Sequence, residues 1–154
     1  MTELKTKWLT SERKHPKLYF AYGSNMNQKQ MDYRCPEAFP VAIGRLPRFK
    51  FLINSSGVAS IIESELDDTL GVIWQISQTN EKTLDRYEGV AKSIYKKIIL
   101  IADVEDYKVS CLCYQALNNK YGIPREEYLE KVIEGAKSFS LDREWIDQLK
   151  SWVK

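Results

Sequence analysis

The residues Leu18-Tyr19-Phe20-Ala21-Tyr22-Gly23-Ser24-Asn25-Met26 form a short apolar stretch, typical of a strand, that ends in a small polar turn. Gly23 has no Cβ, so it can adopt a positive φ without a steric penalty. The backbone N–H groups of residues 23–25 would then converge into a concave site for a carboxylate or an oxyanion. The ordinary alternative is that Ser24 or Asn25 caps a short helix over residues 27–33. This stretch alone favours the cap.

The length and composition of the chain predict one domain. It has 154 residues, of which 44% are hydrophobic and 29% charged, the balance of a soluble globular protein. We expect a single domain over residues 1–154, in which residues 1–17 are a polar N-terminal extension without the apolar core of a secretory signal. No apolar run approaches the ~20 residues of a membrane span. We therefore expect a cytoplasmic protein with no membrane partner.

Charge and cysteine usage argue against two classes of site. The net charge is only +2, and the basic residues are scattered among acidic ones, so we expect no nucleic-acid partner. Cys111 and Cys113 lie two apart in an extended segment and would point to the same face. With His15 as the only histidine, this pattern is a weak metal motif. We interpret the cysteines as buried thiols and expect no metal site.

Alternating and β-branched runs predict a mixed chain, with strands in the middle and helices towards the C-terminus. The predicted strands are residues 18–22, 39–44, 49–54, 58–63, 70–76, 94–104 and 107–117. The last two form an antiparallel hairpin, because Glu105-Asp106 makes a tight polar connection between them. Helices are predicted at residues 80–88, 125–137 and 142–153. Thr79 or Asn80 is the expected cap of the first of these.

Glu88 is the acidic residue with the most informative surroundings. The chain has no usable histidine, no cysteine pair in a metal pattern and no phosphate-binding loop, which leaves carboxylates and tyrosines as acid and base candidates. Glu88 ends a predicted helix that Gly89 can terminate in a left-handed conformation. A carboxylate there experiences the negative end of the helix dipole, and partial desolvation would raise its pKa towards the range of a general base. The helix alone favours a solvated surface glutamate.

Several motifs follow one another in a fixed order along residues 18–149. They are Tyr22-Gly23-Ser24-Asn25, Gly57-x-Ala59-x-Ile61, Gly71-x-x-Trp74, Leu84-Asp85-x-x-Glu88-Gly89, Tyr95, Tyr114, Tyr128 and Gly135-Ala136-Lys137. In this order the chain resembles the gamma-glutamylcyclotransferase family, which includes cyclotransferases of antibiotic biosynthesis and AIG2-like plant proteins. Two departures, Met26 for the commoner leucine and Ser138-Phe139-Ser140 for a glycine-containing turn, do not touch the expected chemistry.

The resemblance implies a fold and a set of site residues. The fold is α+β, a small mixed, partly closed β-barrel with flanking helices, one cavity and no metal or organic cofactor. The loop Tyr22, Gly23, Ser24 and Asn25 would bind the gamma-glutamyl group through backbone N–H groups. Glu88 matches the catalytic glutamate, and Tyr128 matches a substrate-contacting tyrosine. Tyr95 and Tyr114 match aromatic positions near the cavity, where ordinary barrel packing is an equally good interpretation.

The resemblance also implies a reaction that suits these residue types. The substrate would be a small-molecule gamma-glutamyl amide, whose own α-amine attacks the γ-carbonyl and releases 5-oxoproline and an amine. This needs a base of raised pKa and no histidine, metal or covalent intermediate. One alternative is hydrolysis, with water in place of the amine. Another is a non-catalytic module of the same fold that binds a small ligand or a partner.

Two properties stay open at this point. The family acts on amides of amino acids, of amines and of larger products, and the sequence does not distinguish among them. A monomer and a homodimer are both compatible with the chain, because Trp145 and Trp152 on the last predicted helix can pack inward or against a partner. Their helical spacing with Leu149 favours packing inside the chain.

Overall fold

A five-stranded barrel forms the centre of the protein, for which the computed structural model describes residues 17–152. The strands are β1 (Lys17–Ala21), β2 (Phe39–Ile53), β3 (Ala59–Ile76), β4 (Tyr95–Val104) and β5 (Tyr107–Ala116). Their order around the barrel is β1, β3, β2, β4, β5. A parallel pairing of Tyr19 with Leu112 closes the ring, and the other neighbours are antiparallel. The predicted mixed barrel is confirmed, and it is closed rather than partly closed.

Four helices within residues 17–152 flank the barrel. They are α1 (Gln28–Arg34), α2 (Gln78–Tyr87), α3 (Glu126–Ser138) and α4 (Arg143–Lys150), with short 3-10 turns at Ser24–Met26 and Val90–Lys92. The cap predicted for α2 was wrong by two or three residues, because Ser77 caps it through a reciprocal pair of 3.0 Å hydrogen bonds with Asn80. None of the helices in residues 17–152 is both long and apolar enough to cross a membrane.

The middle of the chain holds two long strands where the sequence predicted four shorter ones. The predicted strands at residues 39–44 and 49–54 fall in β2, which ends one residue earlier, at Ile53. Those predicted at residues 58–63 and 70–76 fall in β3, which begins one residue later, at Ala59. Pro47 pairs with Asp68 and Phe49 pairs with Glu63, so residues 64–67 bulge out opposite Arg48. Pairing resumes after the bulge, because a β-bulge absorbs extra residues and a proline without ending the ladder. The breaks that the sequence predicted at residues 45–48 and 64–69 are therefore an irregular stretch of one long pair of strands.

The core confirms two predictions about side chains. The three cysteines are buried as free thiols. Trp145 is 5% exposed and packs edge-on against Phe51, with ring centroids 5.7 Å apart, so the last helix does face inward. Of the polar extension predicted over residues 1–17, only Lys17 falls within the described residues, where it begins β1.

Three segments converge beside β1 and position the site. The first is the turn after β1, at residues 22–26. The second is α3, where Gly135 packs so closely on this turn that an added Cβ would lie 2.6 Å from the carbonyl carbon of Met26. The third is the end of α2, where Gly89 takes the predicted left-handed conformation with φ +65° and turns the chain back towards β4.

Candidate active site

A cavity of about 620 Å³ lies where these three segments meet. Its walls include all eight residues predicted from the sequence: Tyr22, Gly23, Ser24, Asn25, Glu88, Tyr95, Tyr114 and Tyr128. The turn after β1 and the end of α2 are more than sixty residues apart in sequence, and the barrel brings them together. The chemical roles of these residues stay predictions at this point.

Gly23 has a different structural role from the one that we expected. Its φ is −111°, so the predicted left-handed conformation was wrong. Instead, an added Cβ would lie 2.8 Å from Tyr128 Oη and 3.4 Å from Ala59 Cβ. The first of these separations is shorter than van der Waals contact allows. A glycine is required because the turn, α3 and β3 approach one another closely, and not because of an unusual φ.

The helix cap predicted for this turn was also wrong. Neither Ser24 nor Asn25 caps α1; Asn27 does, and its side chain accepts a 3.2 Å hydrogen bond from the backbone N–H of Gln30. Ser24 Oγ accepts a 2.7 Å hydrogen bond from the side chain of Gln30. Residues 24–26 form their own 3-10 turn, which displaces the start of α1 and leaves Asn25 to face the cavity.

The buried Asn25 side chain is held in one orientation. Its Oδ1 accepts hydrogen bonds from Gln30 Nε2 at 2.9 Å and from Arg34 Nη1 at 3.0 Å. Its Nδ2 donates to Tyr19 Oη at 3.0 Å and lies 3.5 Å from Glu88 Oε1. Because a guanidinium only donates, the Asn25 amide cannot be reversed. The donor side of the amide therefore always faces Tyr19 and Glu88.

Glu88 lies one residue beyond α2, where its N–H donates to the carbonyl of Leu84 at 2.8 Å. Burial raises the pKa of the Glu88 carboxyl to about 7, against the opposing effect of the positive charge of Arg34. The predicted increase in pKa is confirmed in direction, with burial as its main cause. Near neutral pH such a carboxyl is present in both protonation states, so it can both accept and return a proton.

Other titratable groups face Glu88 from the barrel and from α3. Burial raises the pKa of each of them, so they stay uncharged around neutral pH: Tyr19, Tyr22, Tyr95, Cys113, Tyr114 and Tyr128. Arg34 is the charged group that acts most strongly on the pKa of Glu88. Its guanidinium lies 4.2 Å from the ring centroid of Tyr87, a cation–π contact between α1 and the end of α2.

Sequence reasoning missed Tyr19, Gln30 and Arg34. Gln30 and Arg34 are four residues apart on α1, a spacing that places two hydrogen-bond donors on one helix face, and this signal was available. That their face looks towards Asn25 depends on how α1 docks, which no local pattern reveals. Tyr19 precedes the turn in the same strand, and its alternation with Ala21 gave no sign that its hydroxyl reaches the cavity.

Known proteins match this chain over most of its length. Residues 68–149 match the model of the AIG2-like family. The gamma-glutamylcyclotransferases of Bos taurus and Homo sapiens are each 32% identical over 145 residues, covering 87% of this chain and 77% of theirs. A solved structure of a gamma-glutamyl cyclotransferase superposes with a TM-score of 0.83 at 30% identity, covering 89% of this chain and 88% of that one.

Proposed function

The chain belongs to the gamma-glutamylcyclotransferase family, and on that premise we propose that the cavity is its active site, with Glu88 as the general acid and base. The family's reaction converts a gamma-glutamyl amide into 5-oxoproline and an amine. One observation carries the proposal: a carboxyl with a pKa of about 7 lies 3.5 Å from the Asn25 amide of the Tyr22-Gly23-Ser24-Asn25 loop. This loop is proposed to bind the gamma-glutamyl group.

The reaction requires two protons to be moved from the attacking nitrogen to the leaving nitrogen. The ionised Glu88 takes a proton from the α-ammonium group of the substrate, and the freed amine attacks the γ-carbonyl carbon. A new carbon–nitrogen bond closes the five-membered ring, and the carbonyl oxygen becomes an oxyanion. When the tetrahedral intermediate collapses, the original amide bond breaks and Glu88 returns the proton to the leaving nitrogen. The ionised Glu88 then takes the second proton from the ring nitrogen, which leaves the neutral lactam, and passes it to the released amine, which departs as an ammonium ion. The atoms balance without water, metal or a bond to the protein.

The pKa of Glu88 suits both halves of this cycle. A carboxyl with the ordinary pKa near 4.5 would be ionised at neutral pH but would be a weak base and a reluctant carrier of the proton. A group whose pKa lies near the working pH exchanges its proton in both directions. Burial raises the pKa of Glu88 and the positive charge of Arg34 limits this increase, so the carboxyl keeps a substantial ionised fraction.

The shape of the cavity supplies the second part of the catalysis. The α-amine must lie over the γ-carbonyl before the ring can close, and holding reacting groups in place can lower a barrier by roughly 7 to 11 kcal/mol. Gly23 lets the turn approach Tyr128 and Ala59 closely, which narrows this side of the cavity. Tyr128, whose oxygen accepts a 3.1 Å hydrogen bond from the N–H of Ala59, is proposed to contact the substrate there.

A product assay tests the proposal. The protein is incubated with gamma-glutamyl amides of amino acids, of simple amines and of larger conjugates, and 5-oxoproline and glutamate are both quantified. We expect 5-oxoproline from at least one amide and much less from the E88Q variant. Glutamate as the product would mean hydrolysis. Calorimetric binding of the amides without any turnover would favour the non-catalytic module, and full activity of E88Q would refute the role of Glu88.

Some finer properties remain part of the proposal. We infer a cytoplasmic enzyme without a nucleic-acid partner, on the composition and charge of the chain alone. A homodimer remains an alternative to a monomer, although Trp145 is packed within the chain. The identity of the leaving amine is the property that the amide panel is designed to determine.

A further inference from the structure

Three of the cavity tyrosines have hydroxyl protons that are already bound within the protein. Tyr22 donates to the backbone carbonyl of Tyr114. Tyr95 donates to the carbonyl of Ala59 at 2.6 Å, and Tyr114 donates to Asp85 Oδ1 at 2.7 Å. To donate to a substrate, each of these hydroxyls would have to give up a protein acceptor. Their hydroxyls therefore tie the turn, the barrel and α2 together.

Tyr19 and Tyr128 have the opposite arrangement. Tyr19 Oη accepts a hydrogen bond from Asn25 Nδ2 at 3.0 Å, and Tyr128 Oη accepts one from the N–H of Ala59 at 3.1 Å. Within residues 17–152, neither hydroxyl has a protein acceptor for its own proton. Tyr19 is 4% exposed and lines the cavity. A buried donor without an acceptor is unfavourable, so this proton is available to whatever fills the cavity.

The direction of the hydrogen bond at Tyr19 is fixed by charged and polar neighbours. Arg34 can only donate, so Asn25 Oδ1 must face it and Asn25 Nδ2 must face Tyr19. Since Nδ2 only donates, the Tyr19 oxygen must accept there, and its proton must point elsewhere. A chain of three groups thus leads from Arg34 through Asn25 to a hydroxyl donor in the cavity. Burial raises the pKa of Tyr19, which keeps that proton in place.

Tyr19 and Glu88 flank the same amide nitrogen. Asn25 Nδ2 lies 3.0 Å from Tyr19 Oη and 3.5 Å from Glu88 Oε1. A substrate whose α-amine contacts Glu88 places its γ-carbonyl oxygen in this neighbourhood. The α-carboxylate is a poorer occupant, because two carboxylates side by side repel each other. The carbonyl oxygen becomes negative only once Glu88 has taken a proton and become neutral.

We propose that Tyr19 is a further catalytic residue, whose hydroxyl donates a hydrogen bond to the γ-carbonyl oxygen as that oxygen becomes an oxyanion. This assignment rests on the proposed function of the cavity. It separates the tyrosines into two groups: Tyr19 and Tyr128 act on the ligand, whereas the hydroxyls of Tyr22, Tyr95 and Tyr114 hold the walls. A donor aimed at developing charge acts mainly on the transition state, so its loss lowers kcat more than it raises KM.

The test compares tyrosine-to-phenylalanine variants. For Y19F we expect kcat to fall about 10²-fold, the scale of a removed oxyanion donor, with KM rising by no more than several-fold. Y107F is the matched control, since Tyr107 lies partly buried on β5 away from the cavity, and it should retain wild-type kinetics. Y95F and Y114F should each lose less kcat than Y19F. Melting curves confirm that every variant is folded.

Several outcomes would overturn the assignment of Tyr19. They are an unchanged kcat in Y19F, an effect on KM alone, and an equal or greater loss of kcat in Y95F or Y114F. If the wild-type protein forms no 5-oxoproline from any amide, it is the proposed function that fails. Tyr19 is then tested by an NMR titration with 5-oxoproline, whose lactam carbonyl can accept the same hydrogen bond. Y19F should bind it several-fold more weakly than Y107F, and equal binding would refute the assignment.

Discussion

Asp103 on the barrel surface and Glu88 in the cavity each lie near an arginine, with opposite consequences for the pKa of the carboxyl group. On the barrel surface, Asp103 forms ion pairs with Arg45 at 3.1 Å and with Lys108 at 2.9 Å, and these cations lower the pKa of its carboxyl. In the cavity, Arg34 does not form an ion pair with Glu88 but acts through the Asn25 amide and at a distance. Burial then dominates, and the pKa of Glu88 rises to about 7.

The difference shows that a carboxylate in a direct ion pair and a buried carboxylate without one serve different purposes. A paired carboxylate stays ionised and contributes modestly to stability. A buried carboxylate that is denied a direct partner holds its proton loosely near neutral pH, which is useful for catalysis and unfavourable for folding. The side-chain amide of Asn25 contacts both Arg34 and Glu88 and links them without a direct ion pair. The following predictions test this contrast.

The largest expected effect is the loss of activity in E88Q. Glutamine keeps the shape of the side chain but cannot carry a proton, so kcat should fall by roughly 10³-fold, within the usual range for general acid–base catalysis. The assay is the release of 5-oxoproline. D103N removes a carboxylate from the surface cluster and should leave kcat unchanged. Comparable losses in the two variants would mean that Glu88 has no special role.

The second effect concerns the glycine that narrows the cavity. G23A places a methyl group 2.8 Å from Tyr128 Oη, so it should displace the turn or the tyrosine and lower kcat/KM by about 10²-fold. If the clash is with that hydroxyl, G23A and Y128F should be non-additive, with the double variant little worse than the worse single one. Fully additive losses would show that the methyl group acts elsewhere.

A third effect concerns the charge of Arg34. Its positive charge lowers the pKa of Glu88, so R34Q should raise that pKa and move the acidic limb of the kcat/KM profile to higher pH. The decrease in kcat/KM should be about tenfold or less, and it should be greater below pH 7 than above pH 8. R34K keeps the positive charge and should leave the acidic limb of the profile at the same pH. R86Q removes an exposed charge two residues before Glu88 and should not move it either.

The smallest effects concern stability, where the two carboxylates should have opposite signs. The folded pKa of Glu88 lies above its unfolded value, so the folded state loses stability as pH rises from about 4.5 to 7. E88Q should therefore be more stable than the wild type at pH 8, by at most about 3 kcal/mol, and the gain should disappear below pH 4. Denaturant unfolding at both pH values measures this.

The Asp103 cluster should behave in the reverse way. Its pKa is lowered in the folded state, so its contribution to stability is present at neutral pH and is lost as pH falls through the folded pKa. D103N should lower the free energy of unfolding at pH 7 by about 1 kcal/mol or less, because exposed ion pairs are weak, and by less still in high salt. A D103N variant more stable than the wild type at pH 7 would contradict the proposed difference between the two carboxylates.

The sequence predicted the class of fold, although it misplaced the strand boundaries at its centre. The family motifs implied the barrel, and the hairpin of β4 and β5 followed from Glu105-Asp106. The predicted strands omitted Pro47 and the acidic run before Asp68, because local polarity is the same in a break between strands and in an exposed bulge. Only the pairing of Pro47 with Asp68 and Phe49 with Glu63 shows that the ribbon continues.

The residues of the candidate site also differ in how far they could be predicted from the sequence. Residues within motifs, such as Glu88 and Tyr128, could be predicted because their order and spacing are informative. Arg34 and Tyr19 could not, because their importance comes from one hydrogen-bonded amide that links segments distant in sequence. Gly23 was identified for the wrong reason, since a close approach to Tyr128 leaves no mark on the local sequence.

The central claim, that burial prepares Glu88 to accept and return a proton, is tested most directly by titrating its side-chain carboxyl carbon by NMR. The signal is assigned by its absence in E88Q and compared with the acidic limb of the kcat/KM profile. We predict one midpoint of about 7 in both measurements. A Glu88 midpoint near its ordinary value of 4.5, or an acidic limb that persists unchanged in E88Q, would contradict the account.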